Sequence, residues 1–254
     1  MTAPMSIADA QRHILAEPAP VLFLDTCVLL DVLRVASERE NAPHRIISAA
    51  ERATAKTSSS PRQLWLLGAA LLDVEWHDNL QGVLDSVTAH IARVDRSLAK
   101  LHAAVQSISS IAMDTRSHGS GFATDARPLQ IGRFDLPTRL IEICERMLRS
   151  VILLSPDDEI LRAANLRSMK GLKPATPGKR EHPDCLIIET CFALCKSLRS
   201  RGFAERCAFV SSNKADFYGD GSPLRPHEEL AGECSAINLH FALAFDHALS
   251  ILYP

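Results

Sequence analysis

Apolar residues fall along this chain in short unbroken runs, separated by longer stretches in which they recur every three or four positions. "VLFL" at 21–24 has no polar interruption, the pattern of a strand buried on both faces of a parallel sheet. "QLWLL" at 63–67, "VILLS" at 151–155, "CAFVSS" at 207–212 and "INLHFALAF" at 237–245 predict further strands. Between them lie helical patterns. Residues 6–16 follow Ser6, a suitable cap, and stop at "EPAP". Thr26 is placed to cap the helix carrying "CVLLDVLR", and Gly68 to open one through "AALLDVEWHDN". "PDDEILRAANLRSM" has acidic residues in its first turn, and "HPDCLIIETCFALCKSL" has a proline near its start. "DHALSIL" at 246–252 predicts a last helix. Strands alternating with helices predict an α/β fold, an open parallel sheet flanked by helices.

The middle of the chain follows another rule. Leu84, Val87, Ile91, Val94, Leu98, Leu101, Val105 and Ile108 step by three and four, which places one apolar seam on a long helix over 80–108. The seam predicts packing on its own domain; a homodimer formed through this helix is the alternative. Residues 114–135 read as a loop, and 137–149 as a second helix returning along the first as a hairpin.

Composition narrows the function classes. The 254 residues are 46% hydrophobic and 23% charged, ordinary for a folded protein, and no apolar run is long enough to span a membrane. Net charge is -2, so a polyanion would be held by a local patch or a bound cation, not by a global field. The seven cysteines show no CxxC pairing, which predicts reduced core thiols and a cytoplasmic protein. "MTAPMSIADAQRHILAEPAP" lacks the basic start and apolar core of a secretory signal.

The chemistry-bearing residues are acidic. Ligands of open α/β sheets collect beyond the carboxyl ends of the strands. Asp25 directly follows "VLFL", Asp216 lies in "FVSSNKADF", Asp184 opens the "HPDCLIIE" helix, and Glu75 comes about two turns into the helix after "QLWLL". Carboxylates gathered without cations repel one another and raise each other's pKa. A hard divalent ion, Mg²⁺ or Mn²⁺, relieves that repulsion through oxygen ligands and retained waters. Asn213 can add a carbonyl oxygen, and the Thr26 and Ser211 hydroxyls can orient ligands or water.

In order, "FLDTCVLLD", Glu75, "HPDCLIIE" and "FVSSNKADF" resemble the PIN-domain family of metal-dependent nucleases. The stretch "HEELAGECSAINLHFALAFDHALSIL" is similar to the close of such proteins that carry insertions. The resemblance covers about 21–75 and 151–250, and implies a single Rossmann-like domain over 1–254 with 76–150 as a helical insertion. It also implies an acidic metal pocket and phosphodiester cleavage, usually of RNA. Position by position, Asp25, Glu75, Asp184 and Asp216 match the family's catalytic and metal-holding carboxylates, and Asn213 matches the Asn of its final motif. Cys27 departs from the Asn or Ser often found there, and Asn213 stands where many relatives have Asp.

The activity expected is therefore that of an endoribonuclease that hydrolyses its substrate with water activated at carboxylate-held Mg²⁺ or Mn²⁺. No histidine falls in a catalytic spacing such as HExxH. Substrate grip is expected from "RAANLRSMKGLKPATPGKRE", which holds Arg162, Arg167, Lys170, Lys173, Lys179 and Arg180, with Lys179 and Arg180 nearest the pocket. Aromatic residues are only 5% of the chain, so no base-stacking platform is evident. The departures at Cys27 and Asn213 favour an alternative, a weak or inactive PIN-like module binding RNA or protein. A haloacid-dehalogenase-like phosphatase is disfavoured, because its mechanism wants an acid two residues after the nucleophile, where Cys27 stands. Some PIN proteins are toxins restrained by an antitoxin, so an antitoxin-like partner remains open.

Overall fold

In the computed structural model, residues 3–37, 43–114, 135–176, 182–219 and 225–254 are described. The expected loop at 114–135 falls almost wholly outside them. Beginning at the amino terminus, the elements are α1 (Ile7–Ala16), β1 (Val21–Leu24), α2 (Thr26–Arg34), α3 (Pro43–Thr57) and β2 (Trp65–Ala69). Then come α4 (Leu71–Asp114), α5 (Leu136–Ser150), β3 (Ile152–Leu154), α6 (Asp158–Lys170) and α7 (His182–Ser200). The chain closes with β4 (Cys207–Val210), α8 (Lys214–Phe217), α9 (Glu228–Ala236), β5 (Leu239–Ala242) and α10 (Phe245–Leu252).

The five strands form one all-parallel sheet in the order β3-β2-β1-β4-β5, flanked by helices. Strand β1 is central, with Val21 opposite Trp65 on one side and Cys207 on the other, which is why "VLFL" carries no polar residue. Alternate side chains divide between two cores. Leu22, Leu24, Leu66, Ala208 and Val210 pack beneath α2, α3, α4, α5 and α10. Val21, Phe23, Leu67, Phe209 and Leu239 pack beneath α1, α7 and α9.

Helix starts follow local chemistry. The Ser6 hydroxyl accepts the Asp9 N–H at 3.1 Å, and the Asp157 carboxylate accepts the Ile160 N–H at 2.9 Å. Gly171, at φ 63°, ends α6 in the left-handed conformation that glycine adopts without strain.

Three features differ from the sequence pattern. First, α3 is a full helix whose buried face is Ala49, Ala50 and Ala53, residues too small to register as an apolar stripe. Second, Gly68 belongs to β2 instead of opening a helix. A Cβ there would lie 2.7 Å from Leu72 Cδ1, so the missing side chain lets the first turn of α4 fold tightly over the strand it follows. Third, α4 runs unbroken for 44 residues. Its seam is buried at Val87 and Ile91, with Val83 buried in place of the half-buried Leu84, whereas Leu101 and Val105 are 62% and 53% exposed. The returning helix α5 packs chiefly on α3 and α2, more than on α4.

Candidate active site at the carboxyl edge of the sheet

Strand order 3-2-1-4-5 reverses between β1 and β4: the chain winds outward one way from β1, then outward the other way from β4. At such a reversal the following helices part, and a crevice opens beyond the strand ends. Asp25 is the first residue past β1 and Ser211 the first past β4. Their backbones continue the ladders by one step, since Asp25 N–H donates to Val210 O at 3.0 Å and Ser211 N–H to Ala242 O at 3.1 Å. Both side chains are thereby fixed at the mouth of that crevice.

Asp25 is 4% exposed, and its Oδ2 accepts the Ser211 hydroxyl at 2.5 Å and the Cys27 thiol at 3.0 Å. Burial pushes its pKa up, although both hydrogen bonds act in the opposite direction. Next to it, the Thr26 hydroxyl donates to Glu75 Oε2 at 2.6 Å. Glu75 is also pushed up, first by burial and then by the negative charges of Asp25 and Asp78, while the Thr26 hydrogen bond works against the shift. The Asp25 charge at β1's end therefore reaches Glu75 in α4's second turn, with Thr26 between the two segments. Thr26 is the first residue of α2 and Asp25 its cap, so Thr26 serves Glu75 instead of the helix terminus expected from its position in the sequence.

A short relay continues to the β4 side. Ser211 Oγ accepts the Asn213 N–H at 3.2 Å, and Asn213 Nδ2 donates to Asp216 Oδ2 at 2.7 Å. Asn213 thus supports Asp216, its carboxamide turned to the carboxylate as a donor. Asp216 is half-buried on the single turn α8. Asp184 lies in the first turn of α7, half-buried. In the last turn of that helix, Arg199 donates to the carbonyls of Glu205 and Asn238, just before β4 and β5 start. Its 19 residues rise about 28 Å, more than twice a four-residue strand, so the first turn lies toward the carboxyl edge.

Of two further participants, Cys27 entered the sequence reading only as a departure from the family pattern, and Tyr218 not at all. Cys27 accepts the Ser212 N–H at 3.1 Å while donating to Asp25, and its thiol pKa is pushed well up by burial and then by the Asp25 charge. It is a neutral donor stitching β1's end to β4's. Buried Tyr218 donates to Ser211 O at 3.2 Å, locking that loop from the far side. Its isolated place in "DFYGD" gives no periodic cue.

Among the described residues, no group of three or more His, Cys, Asp or Glu side chains is gathered closely enough to enclose a metal ion. What stands together is a carboxylate pair with hydroxyls, an oxygen set suited to a cation that keeps several waters and takes further ligands from a bound phosphate. The chemistry of these donors fits Mg²⁺ or Mn²⁺ on those terms.

The basic stretch divides. Lys170 is exposed at the end of α6, and Lys173 is half-buried in the loop beyond it. Lys179 and Arg180 lie outside the described residues. Arg167 is not available for substrate: it is 4% exposed, donating to Glu189 and Glu233 at 2.6 Å each and to Lys173 O at 2.6 Å. Glu189 is one of its two carboxylate acceptors.

Together these elements define an α/β protein built on a five-stranded parallel sheet, with a buried carboxylate at the reversal of strand order. Comparison with family models, with curated proteins and with solved structures returned no match for this chain. Among the described residues, no helix is long and apolar enough to cross a membrane.

Proposed function

We propose that this protein is a PIN-like, divalent-metal-dependent nuclease, acting in the cytoplasm as an endoribonuclease. The observation that carries the reading is Asp25, buried at the reversal of strand order and set against a second carboxylate, Glu75. A charge in that position costs stability unless a cation relieves it. Asp25 and Glu75 would hold Mg²⁺ or Mn²⁺, with Asp184 and Asp216 drawn in from α7 and α8. When bound, the ion supplies Lewis-acid polarisation of the phosphoryl group and a water acidic enough to attack at neutral pH.

The chain's own residues do the rest. Ser211 and Cys27 fix the rotamer of Asp25 by donating to the same oxygen, Oδ2. Thr26 holds Glu75 by one oxygen in the same manner. Asn213 orients Asp216. Lys170 and Lys173, with Lys179 and Arg180 beyond them, supply the positive charge for an RNA backbone that net charge -2 does not provide. The seven cysteines, none in a disulfide, suit a reducing compartment.

A second reading has an observation of its own. Because the carboxylates do not enclose a three-ligand site among the described residues, a module that binds RNA or an antitoxin-like partner without cleaving it also accommodates this geometry. Incubating single-stranded RNA with the purified protein in Mg²⁺ or Mn²⁺ separates the two. Metal-dependent fragments that disappear in both Asp25→Asn and Asp184→Asn support the nuclease. RNA bound but left intact supports the module, and cleavage persisting in both variants refutes the mechanism.

A further inference from the structure

A cleft of about 520 Å³ opens next to Asp25, reaching Cys27 two residues beyond it. Cys27, Ser212 and Asn213 form its inner end, so it adjoins the site through the thiol that donates to Asp25. One wall is a single face of α2, with Val28, Asp31 and Arg34 at helical spacing. Ile46 of α3 and Leu243 after β5 supply apolar surface opposite, and Lys214 stands at the rim. Its size falls within the range of small-ligand sites, and its lining is their usual mixture of apolar walls and a few polar groups.

Resting on the nuclease reading above, we propose that this cleft seats one unpaired guanine base of the strand whose phosphate lies at Asp25. A nucleobase has two apolar faces and a polar edge, which suits a cleft lined by Val28, Ile46 and Leu243 with charged groups on its α2 wall. Bases recognised this way come from single strands, because only there can the Watson–Crick edge turn outward. Asp31 and Arg34 sit side by side, Oδ1 to Nη1 at 3.5 Å, presenting an acceptor and a donor on one wall. Among the four bases, guanine alone offers two adjacent N–H donors, N1 and N2, next to an acceptor, O6. A carboxylate can take both donors while the guanidinium meets O6. Lys214, exposed at the mouth, is placed for the nucleotide's phosphate.

The test measures binding of GMP, AMP, CMP and UMP to the full-length protein in EDTA by calorimetry, beside Asp31→Asn and Arg34→Ala. Both altered side chains are partly exposed within the cleft, and Asn is isosteric with Asp; matching thermal melts verify the fold. GMP is expected to bind about tenfold or more tighter than UMP, the discrimination typical of a bidentate contact to a base. Asp31→Asn should abolish that preference, and Arg34→Ala should weaken GMP most. Equal affinity for the four nucleotides, no binding of any, or a GMP preference untouched by Asp31→Asn overturns the proposal. The readout is separate from catalysis. GMP binding without RNA cleavage would leave the cleft assigned and the nuclease reading refuted; RNA cleavage with no guanine bias would do the reverse.

Discussion

Replacing Arg167 by methionine tests whether the basic stretch around it grips substrate or holds the fold together. Methionine keeps the length and packing of the stem but removes every donor. Glu189, whose side chain is 12% exposed, would then lose a 2.6 Å partner and stand almost buried without a cation. Removing one member of a buried pair costs about 3–5 kcal/mol, because the survivor remains desolvated. Glu233 adds little, since at 41% exposure water replaces most of what it loses, and exposed pairs are worth about 0–1 kcal/mol. The residual exposure of Glu189 argues for the low end, about 3 kcal/mol. For a chain of this size each kcal/mol lowers Tm by about 2–4 °C, so a drop of about 6–12 °C is expected in a circular dichroism melt. The Arg167→Met/Glu189→Met double variant should recover most of the loss, because no buried charge is then unpaired. A single variant that melts within 2 °C of the unaltered protein yet binds RNA less tightly would refute the reasoning and return Arg167 to the substrate.

Two further predictions bear on the site. Gly68→Ala forces a methyl group to within 2.7 Å of Leu72 Cδ1 and 3.4 Å of Val151 Cγ1 in a filled core. The overpacking cost of about 1–3 kcal/mol exceeds the roughly 0.4–1 kcal/mol gained from a stiffer unfolded chain. A net loss near 1–2 kcal/mol is expected in urea melts, with weaker catalysis because Leu72 lies one turn before Glu75; an unchanged midpoint would contradict it. Asp25 gives a pH dependence. Its folded pKa lies above the ordinary 3.8, so the native state holds the proton more tightly than the unfolded chain. The stability this confers is complete below 3.8 and is lost as pH rises through the folded value. Metal-free Asp25→Asn should therefore gain stability relative to the unaltered protein between pH 4 and pH 7. The same difference at both pH values would show that the carboxylate is not destabilised by its burial.

The parallel sheet was legible in the sequence because burial on both faces leaves no freedom: "VLFL" and "CAFV" have nowhere to place a polar side chain, so their pattern is unbroken. Asp25 was legible for the same reason, as the first polar residue after a run that cannot tolerate one. Helix α3 escaped because it packs through alanines against α5 and α10, and a small residue buries as completely as a large one without marking a periodicity. Gly68 misled because glycine both ends elements and admits close approach, and only the position of Leu72 distinguishes the two uses.

Arg167 shows where reading along a chain reaches its limit. Its neighbours Arg162 and Lys170 are exposed on the same helix, and nothing local marks the difference. The difference comes from Glu189 and Glu233, 22 and 66 residues further on, which α7 and α9 carry back to it. The same holds for the carboxylate pair. Each member could be named from its own segment, but the Asp25 charge reaches Glu75 because α4 begins immediately after β2, with Leu72 packed against Gly68 one turn before the carboxylate. The site's electrostatics thus depend on a packing distance set by a residue that carries no charge. A substitution at that glycine should therefore disturb Glu75 more than one at Lys170, although only the lysine looks as if it belongs to a nucleic-acid-binding surface.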